Sequence, residues 1–305
     1  MKPFVPKFVW FDGKFVRDGE AKVSVMTHAI HYGTSVFEGL RGYWNSKNLY
    51  IFRLDDHIRR FRRSGKVYSI SLRFTDKQIA DAIIRLCKKN NVKEQCYIRP
   101  FYFVGRYGIN LHVTEETPTH AAIVMFPFGD LFNKNGIKVG ISSWRRIHDV
   151  STPPLAKMGG NYLNSILATQ ECKREGYDEA VLLDQLGNIS EAPGENIFII
   201  RNGKLLTPPQ SSSALEGITK ESVNTIARDL GYEAIEREIP RTEIYFADEV
   251  FLTGTAAEIT PIISVDGKKV NDGKVGKITR QIQKIYSEIT IGRSKKYAHW
   301  ITAVY

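Results

Sequence analysis

Cysteine is scarce in this chain: Cys87, Cys96 and Cys172 are the only three in 305 residues, an odd number with no Cys-x-x-Cys pair. That excludes a disulfide-stapled scaffold and a cysteine-built zinc cluster, so no metal is expected and a reducing, cytoplasmic setting is. Long apolar runs are missing too. No stretch of about 18 apolar residues could span a bilayer, and in MKPFVPKFVWFDGK the residues Pro6, Lys7 and Asp12 interrupt the apolar start before a signal-peptide core could form. The chain therefore reads as soluble, unexported and without a membrane partner. Internal repeats, low-complexity tracts, βαβ periodicity and a Gly-x-Gly-x-x-Gly loop are all absent, which sets aside solenoids and dinucleotide folds.

What is present is ample core material, with 42% hydrophobic and 11% aromatic residues, and a length that suggests about two domains. The formal charge of +10 raises the question of nucleic acid. Such a surface would gather lysine and arginine into one patch with aromatics between them. The dense cluster here is RRFRR at 59–63, inside LDDHIRRFRRSGK. There Leu54, Ile58 and Phe61 recur at helical spacing, so the arginines read as a solvated helix face over the core. No nucleic-acid partner is expected, and the excess positive charge suits small anionic molecules.

Local signals predict an α+β protein. Asp12-Gly13 in KFVWFDGKFV marks a hairpin. Helices are predicted near 54–66, over TDKQIADAIIRLCKKNN with Thr75 and Asp76 as caps, from about Asn161 to Arg174, and over ITKESVNTIARDLG with Val223, Ile226, Ala227 and Leu230 on one face. YIRPFYFVG, HAAIVMFPF and IKVGISSW read as strands, and EAVLLDQLGNISEAPGENIFIIRNGKLLTP as hairpin-like strands. The interruption FGDLFNKNG separates a small N-terminal domain, 1–127, from a large domain, 137–305, with 128–136 as the connection.

PPLAKMGGNYLNS, residues 153–165, holds one charge, and Lys157 is the only charged residue between Asp149 and Glu171. An apolar setting favours the neutral, nucleophilic amine over the ammonium, and the flanking Gly159 and Gly160 leave room for something planar and bulky. Alone, the pattern equally describes a lysine snorkelling from a loop. If the bulky partner were pyridoxal phosphate, it would need an anion cradle, a carboxylate for its ring nitrogen and a donor for its ring oxygen. LEGITKES puts Gly217, Ile218 and Thr219 at a helix start, where free amides bind anions. ISEAPGENIF offers Glu191 and Glu195 in a turn, and FLTGTAAEITP ends a strand in Gly254-Thr255. Each of these also has an ordinary reading, as a helix cap, a solvated turn and a tight strand exit.

Together and in order, HAIHYGTSVFEGLR, YIRPFYFVG, AKMGGNYLNS, SEAPGENIF, SSALEGIT and GTAAEITP resemble the branched-chain amino-acid aminotransferases, within the fold-type IV class of pyridoxal phosphate enzymes. The resemblance runs over nearly the whole chain. It implies a two-domain α+β fold, a small α/β domain plus a larger one with a β-barrel-like core. The implied cofactor is pyridoxal 5′-phosphate, and the implied reaction is transamination between L-leucine, L-isoleucine or L-valine and 2-oxoglutarate. It makes Lys157 the Schiff-base lysine and proton shuttle, Glu191 the partner of the pyridine nitrogen and Tyr162 the donor to the ring oxygen. Arg60, the Ile218 and Thr219 amides after Gly217, and the Thr255 hydroxyl would hold the phosphate, with Leu215 against the ring. Composition does not single out Arg60 among the arginines at 59, 60, 62 and 63; the motif does.

For substrate, the resemblance implies Tyr97 and Arg99, with the amides of Thr255 and Ala256 at the α-carboxylate. One pocket must accept an aliphatic side chain and also glutamate, whose second carboxylate needs a cation. Arg99 is the candidate cation, and Phe37, Phe128 and Tyr162 the apolar wall. Tyr32, Ile109 and Leu111 would come from a neighbouring subunit, with a homodimer as the minimum assembly and a trimer of dimers as the larger one. Five positions depart from the family pattern: Ala192-Pro193 beside Glu191, Glu216 before Gly217, Phe128 for tryptophan and Leu131 for tyrosine. The rivals of the same fold are a D-amino-acid transaminase, an (R)-amine transaminase and aminodeoxychorismate lyase; Tyr97-Ile98-Arg99 and GTAAEITP favour the L-branched-chain reading.

Overall fold

Asp12-Gly13 closes the first hairpin. Phe8–Phe11 pairs antiparallel with Lys14–Arg17, and the two turn residues take φ of 44° and 88°, the left-handed pair that a two-residue turn requires. The computed structural model describes residues 5–305. Asp76–Lys89 is a helix with a reciprocal cap: the Thr75 hydroxyl accepts from Gln78 N–H at 3.2 Å, and Gln78 Oε1 accepts from Thr75 N–H at 2.8 Å. Asn90 caps its other end. Leu54–Ser64 is a second helix, and its buried face is wider than its apolar spacing suggests. Besides Leu54, Ile58 and Phe61 it includes His57, Arg60 and Ser64. Arg60 therefore does not belong to a solvated face, whereas Arg59 and Arg63 do.

These helices cover an eight-stranded sheet. Its order is Ile301–Ala303, Leu49–Phe52, Leu40–Trp44, Cys96–Val104, Thr119–Pro127, Phe8–Phe11, Lys14–Arg17, with Ser35–Phe37 also paired to Cys96–Val104. Ile58, Phe61, Ile79, Ile83 and Leu86 from the helices join Ile51, Ile98 and Ile123 from the sheet in one buried cluster. Each such side chain stabilises the fold by about 1.5–3 kcal/mol.

A second eight-stranded sheet runs Ala234–Glu236, Lys204–Thr207, Asn196–Arg201, Glu249–Gly254, Glu258–Val265, Ile137–Arg145, Glu179–Leu183, with Lys268–Lys269 on Glu258–Val265. Asn196–Arg201 and Lys204–Thr207 form a hairpin through Asn202-Gly203, at φ 51° and 72°. Glu179–Leu183 also turns back antiparallel, with Ser190 N–H donating to the Leu182 carbonyl at 2.9 Å and Leu182 N–H to the Glu191 carbonyl at 2.8 Å, so the stretch is hairpin-like there too. Glu179–Leu183 lies parallel to Ile137–Arg145 and is buried along its length, and the helix Tyr162–Arg174 makes the crossover between them. The fold thus contains a βαβ unit that periodicity did not reveal. The helix Ile218–Asp229 packs on Glu249–Gly254, with Val223, Ile226 and Ala227 buried and Leu230 only half-buried at its C-cap.

Two compact units result. One takes the described residues up to Gly129, with Ala156–Gly160 and Glu288–Tyr305; the other takes Asp130–Leu155 and Asn161–Ser287. This differs from a single domain over 137–305, and the cause is long-range pairing. Ile301–Ala303 adds antiparallel to Leu49–Phe52, and Met158 bridges to Val36. Among the described residues no helix is long and apolar enough to cross a membrane.

Candidate active site

Lys157 belongs to the first unit, in a segment anchored through its backbone. The Lys157 carbonyl accepts from Phe37 N–H at 3.1 Å, and its N–H donates to Ser64 Oγ at 3.1 Å; Ser64 donates in turn to the Arg60 carbonyl at 2.9 Å. The neighbouring glycines serve this anchoring. A Cβ on Gly159 would overlap Ser35 Oγ, and a Cβ on Gly33 would lie 3.2 Å from Gly160 Cα. At Gly159, then, close packing against residue 35 is the immediate reason for glycine, in place of the room for a planar group suggested by size.

The Lys157 side chain is half-buried, its Nζ 5.0 Å from the Phe37 ring centre. Arg99 stacks on the same ring at 4.4 Å and lies 5.2 Å from the Tyr97 ring, whose hydroxyl accepts from Arg99 Nη2 at 3.1 Å. Phe128 leans on Tyr97 with ring centres 5.3 Å apart, and the buried Arg41 stacks against Phe128 at 5.1 Å. Phe37, Tyr97, Arg99, Phe128 and Lys157 therefore lie together in the first unit. Among the described residues Arg99 Nε is buried with no hydrogen-bond partner, a donor whose burial is costly unless an acceptor arrives. Gly39 makes room for Tyr97: a Cβ there would overlap the Tyr97 hydroxyl.

Arg60 has a partner that the motifs did not name. Glu38, fully buried, accepts from Arg60 Nε on Oε1 at 2.6 Å and from Arg60 Nη2 on Oε2 at 2.9 Å; Oε2 also accepts from His57 Nδ1 at 2.7 Å and from Gly39 N–H at 3.2 Å. Burial alone would raise the Glu38 carboxyl, but the Arg60 charge and His57 beside it more than offset this and hold it far below the usual carboxylate range. Burial outweighs the Glu38 charge at His57 and lowers that group. The one signal available was His57 and Arg60 at i and i+3, on one face of the helix.

In the second unit Glu191 is buried and held by three donors. Oε1 accepts from Arg146 Nε at 2.8 Å, and Oε2 accepts from Asn196 Nδ2 and Leu215 N–H, both at 3.0 Å. Asn196 Nδ2 donates also to the Leu215 carbonyl at 2.9 Å. Arg146, itself buried, reaches Ser165 Oγ at 3.2 Å. Sequence reasoning missed Arg146 and Asn196, which stand 45 and 5 residues from Glu191 with no periodicity to link them. Pro193 fits the turn, its carbonyl accepting from Ser165 Oγ at 2.7 Å.

Gly217 is the N-cap of Ile218–Asp229, and no side chain caps the first amides, those of Ile218 and Thr219. Its φ of −75° suits any residue, so the need for glycine is steric. A Cβ there would overlap Asn196 Oδ1. Gly217→Ala is therefore expected to push Asn196 off Glu191 and Leu215, at about 1–3 kcal/mol for each buried group left unpaired; the fall in unfolding free energy in urea measures it. Glu216 accepts from Gln210 Nε2 at 2.7 Å. Thr255 and Ala256 occupy the turn between Glu249–Gly254 and Glu258–Val265, which packs on the Glu191 turn closely enough that a Cβ on Gly254 would lie 3.2 Å from the Gly194 carbonyl oxygen. Tyr162 opens the helix Tyr162–Arg174 and is half-buried. Tyr32, Ile109 and Leu111 share one surface of the first unit. Tyr32 donates to the Ile109 carbonyl at 3.4 Å, and Ile109 and Leu111 are 81% and 73% exposed.

The first unit sets an amine and a guanidinium with an unpartnered Nε against one aromatic ring, and the second unit holds a donor-saturated buried carboxylate and an uncapped helix start. The amino-transferase class IV pattern matches residues 35–265, and the chain belongs to that family. Within the family it is similar to branched-chain aminotransferases. It is 41% identical over 309 residues to a probable branched-chain-amino-acid aminotransferase of Aquifex aeolicus, covering 100% of this chain and 99% of that relative. The branched-chain aminotransferase of Thermoproteus uzoniensis, solved with norvaline, superposes with a TM-score of 0.95 at 44% identity, covering 98% of this chain and 99% of the other. The branched-chain amino acid aminotransferase of Thermobaculum terrenum, solved in its PLP-form, gives a TM-score of 0.93 at 39% identity, with the same coverage of both chains.

Proposed function

We propose that this protein transfers the amino group between L-leucine, L-isoleucine or L-valine and 2-oxoglutarate, with pyridoxal 5′-phosphate as cofactor. The observation that carries the reading is the cluster around Phe37, where the Lys157 amine and an Arg99 guanidinium with an unsatisfied, buried Nε flank one aromatic wall. The residues present fit the cofactor. The uncapped Ile218 and Thr219 amides suit a phosphate, and the ion-paired Glu191 suits a protonated ring nitrogen. When bound, pyridoxal 5′-phosphate supplies an aldehyde that takes up the amino group and a ring that accepts the electrons left at Cα.

Each side chain then has a task. Arg60, the Ile218 and Thr219 amides and the Thr255 hydroxyl would hold the phosphate, Glu191 would pair with the ring nitrogen, Tyr162 would donate to the ring oxygen and Leu215 would lie against the ring. Lys157 would carry the proton removed from the substrate Cα. Thr255 and Ala256 amides and the Tyr97 hydroxyl orient the α-carboxylate, while Phe37, Phe128 and Tyr162 form the wall for an aliphatic side chain. Arg99 meets the second carboxylate of glutamate and is ignored by leucine. The solvent-facing apolar residues Leu163, Ile166 and Leu167 on one helix, with Ile109 and Leu111, support a homodimer in which Tyr32, Ile109 and Leu111 reach a neighbouring copy. Three buried cysteines without a disulfide support a cytoplasmic setting.

L-leucine with 2-oxoglutarate is expected to yield L-glutamate and the matching branched 2-oxo acid in equal amounts. Faster turnover of D-alanine or (R)-phenylethylamine would overturn the substrate assignment. Arg99→Met separates the two substrates. It is expected to cut kcat/KM for 2-oxoglutarate by about 10- to 100-fold, the worth of a charged hydrogen-bonded pair, and to leave the leucine half-reaction near its starting value.

A further inference from the structure

We infer that Glu38 is a positioning residue for Arg60, fixing its guanidinium for the cofactor phosphate before the cofactor arrives; the inference rests on the assignment of Arg60 to that phosphate. Arginine is long and flexible, and holding one such side chain on binding costs from a few-fold to about tenfold in affinity. Here that ordering is already complete. Glu38 grips Arg60 from the side, at Nε and Nη2, with 2.6 and 2.9 Å contacts that fix both the plane and the roll of the guanidinium. The grip is itself rigid. Glu38 N–H donates to the Pro100 carbonyl at 2.9 Å, and the carboxylate receives two further bonds, from His57 Nδ1 and Gly39 N–H, so its four donors leave it no alternative pose.

The same device reaches the reactive lysine. The Arg60 carbonyl receives Ser64 Oγ, which receives Lys157 N–H, while Phe37, next to Glu38, donates its N–H to the Lys157 carbonyl. A carboxylate close to a phosphate site would by charge alone repel the phosphate. Its presence, buried and fully donated to, is therefore accounted for by what it does to Arg60. His57 completes the arrangement, its Nδ1 2.7 Å from Glu38 Oε2.

The test is a double-mutant cycle on the cofactor-depleted full chain, titrated with pyridoxal 5′-phosphate and, as a control, with pyridoxal, which lacks the phosphate. Arg60→Met is expected to weaken pyridoxal 5′-phosphate binding by about 100-fold when Glu38 is present and by about tenfold or less in Glu38→Gln. The cycle cancels any direct repulsion between Glu38 and the phosphate. Glu38→Asp keeps the charge and shortens the reach by one methylene; in it the cost of Arg60→Met is expected to shrink as well, and it serves where the Gln variant does not fold. Pyridoxal binding should show no coupling. An Arg60→Met cost that is the same in all three backgrounds overturns the inference. An Arg60→Met cost near zero with Glu38 in place instead overturns the phosphate assignment on which it rests.

Discussion

Lys157→Ala is expected to lower kcat by at least about 10⁴-fold, the upper end of what a positioned proton-transfer group supplies, while leaving the protein folded. Both halves follow from the anchoring of residue 157. Its backbone makes the structural bonds, to Phe37 N–H and Ser64 Oγ, and alanine keeps both. What is lost is the amine and its contact with the Phe37 ring, worth about 0.5–1 kcal/mol to stability. The discriminating measurement is exchange of the leucine Cα hydrogen with D₂O. It should fall in parallel with kcat, and added ethylamine should restore part of both, because a free amine can carry the same proton without the tether. Exchange that persists at more than about one part in a hundred of the starting rate would assign the proton to another group.

What could be read from the sequence was what is local. The Asp12-Gly13 turn, the Thr75 cap and the turn at Asn202-Gly203 each rest on two to four neighbouring residues, and each forms as its chemistry dictates. The aromatic and cationic cluster around Lys157 was legible for a different reason: whole motifs stand in a recognisable order, and the structure brings Phe37, Tyr97, Arg99 and Phe128 together. What stayed hidden was what depends on distant partners. Ile301–Ala303 pairs with Leu49–Phe52, near the other end of the chain, which no window of sequence registers. Glu38 stood unremarked inside the motif HAIHYGTSVFEGLR, and RRFRR read as solvated charge, because nothing in either stretch declares that Glu38 and Arg60 neutralise one another.

A common arrangement underlies the two hidden networks. In each unit a residue assigned to the cofactor by motif is ion-paired to a buried residue of opposite charge: Arg60 with Glu38, and Glu191 with Arg146. A charge buried alone is unfavourable, so a group kept ready for a charged ligand needs a counter-charge of its own. The motif assigns the group that would face the ligand, and the fold supplies its partner from elsewhere in the chain. Glycine has the same secondary role twice, with Gly39 admitting the Tyr97 hydroxyl and Gly217 admitting Asn196.

The second pair yields a stability prediction as large as the catalytic one. Arg146→Met is expected to destabilise the protein by about 3–5 kcal/mol, because it leaves Glu191 buried without its cation. Asn196 and the Leu215 N–H still donate to Oε2, so the loss is concentrated on Oε1. Adding Glu191→Gln should return most of it, to within about 2 kcal/mol of the parent, since a neutral amide keeps an acceptor for Asn196 and Leu215 and no longer needs Arg146. Cofactor binding should not follow stability. The double variant, though refolded, lacks the carboxylate for the ring nitrogen and should hold pyridoxal 5′-phosphate more weakly than the parent does. Unfolding in urea and titration with the cofactor, on the same three proteins, read the two quantities separately. A double variant no more stable than Arg146→Met would show that Arg146 acts through Ser165 and its own packing, and that its pairing with Glu191 contributes little.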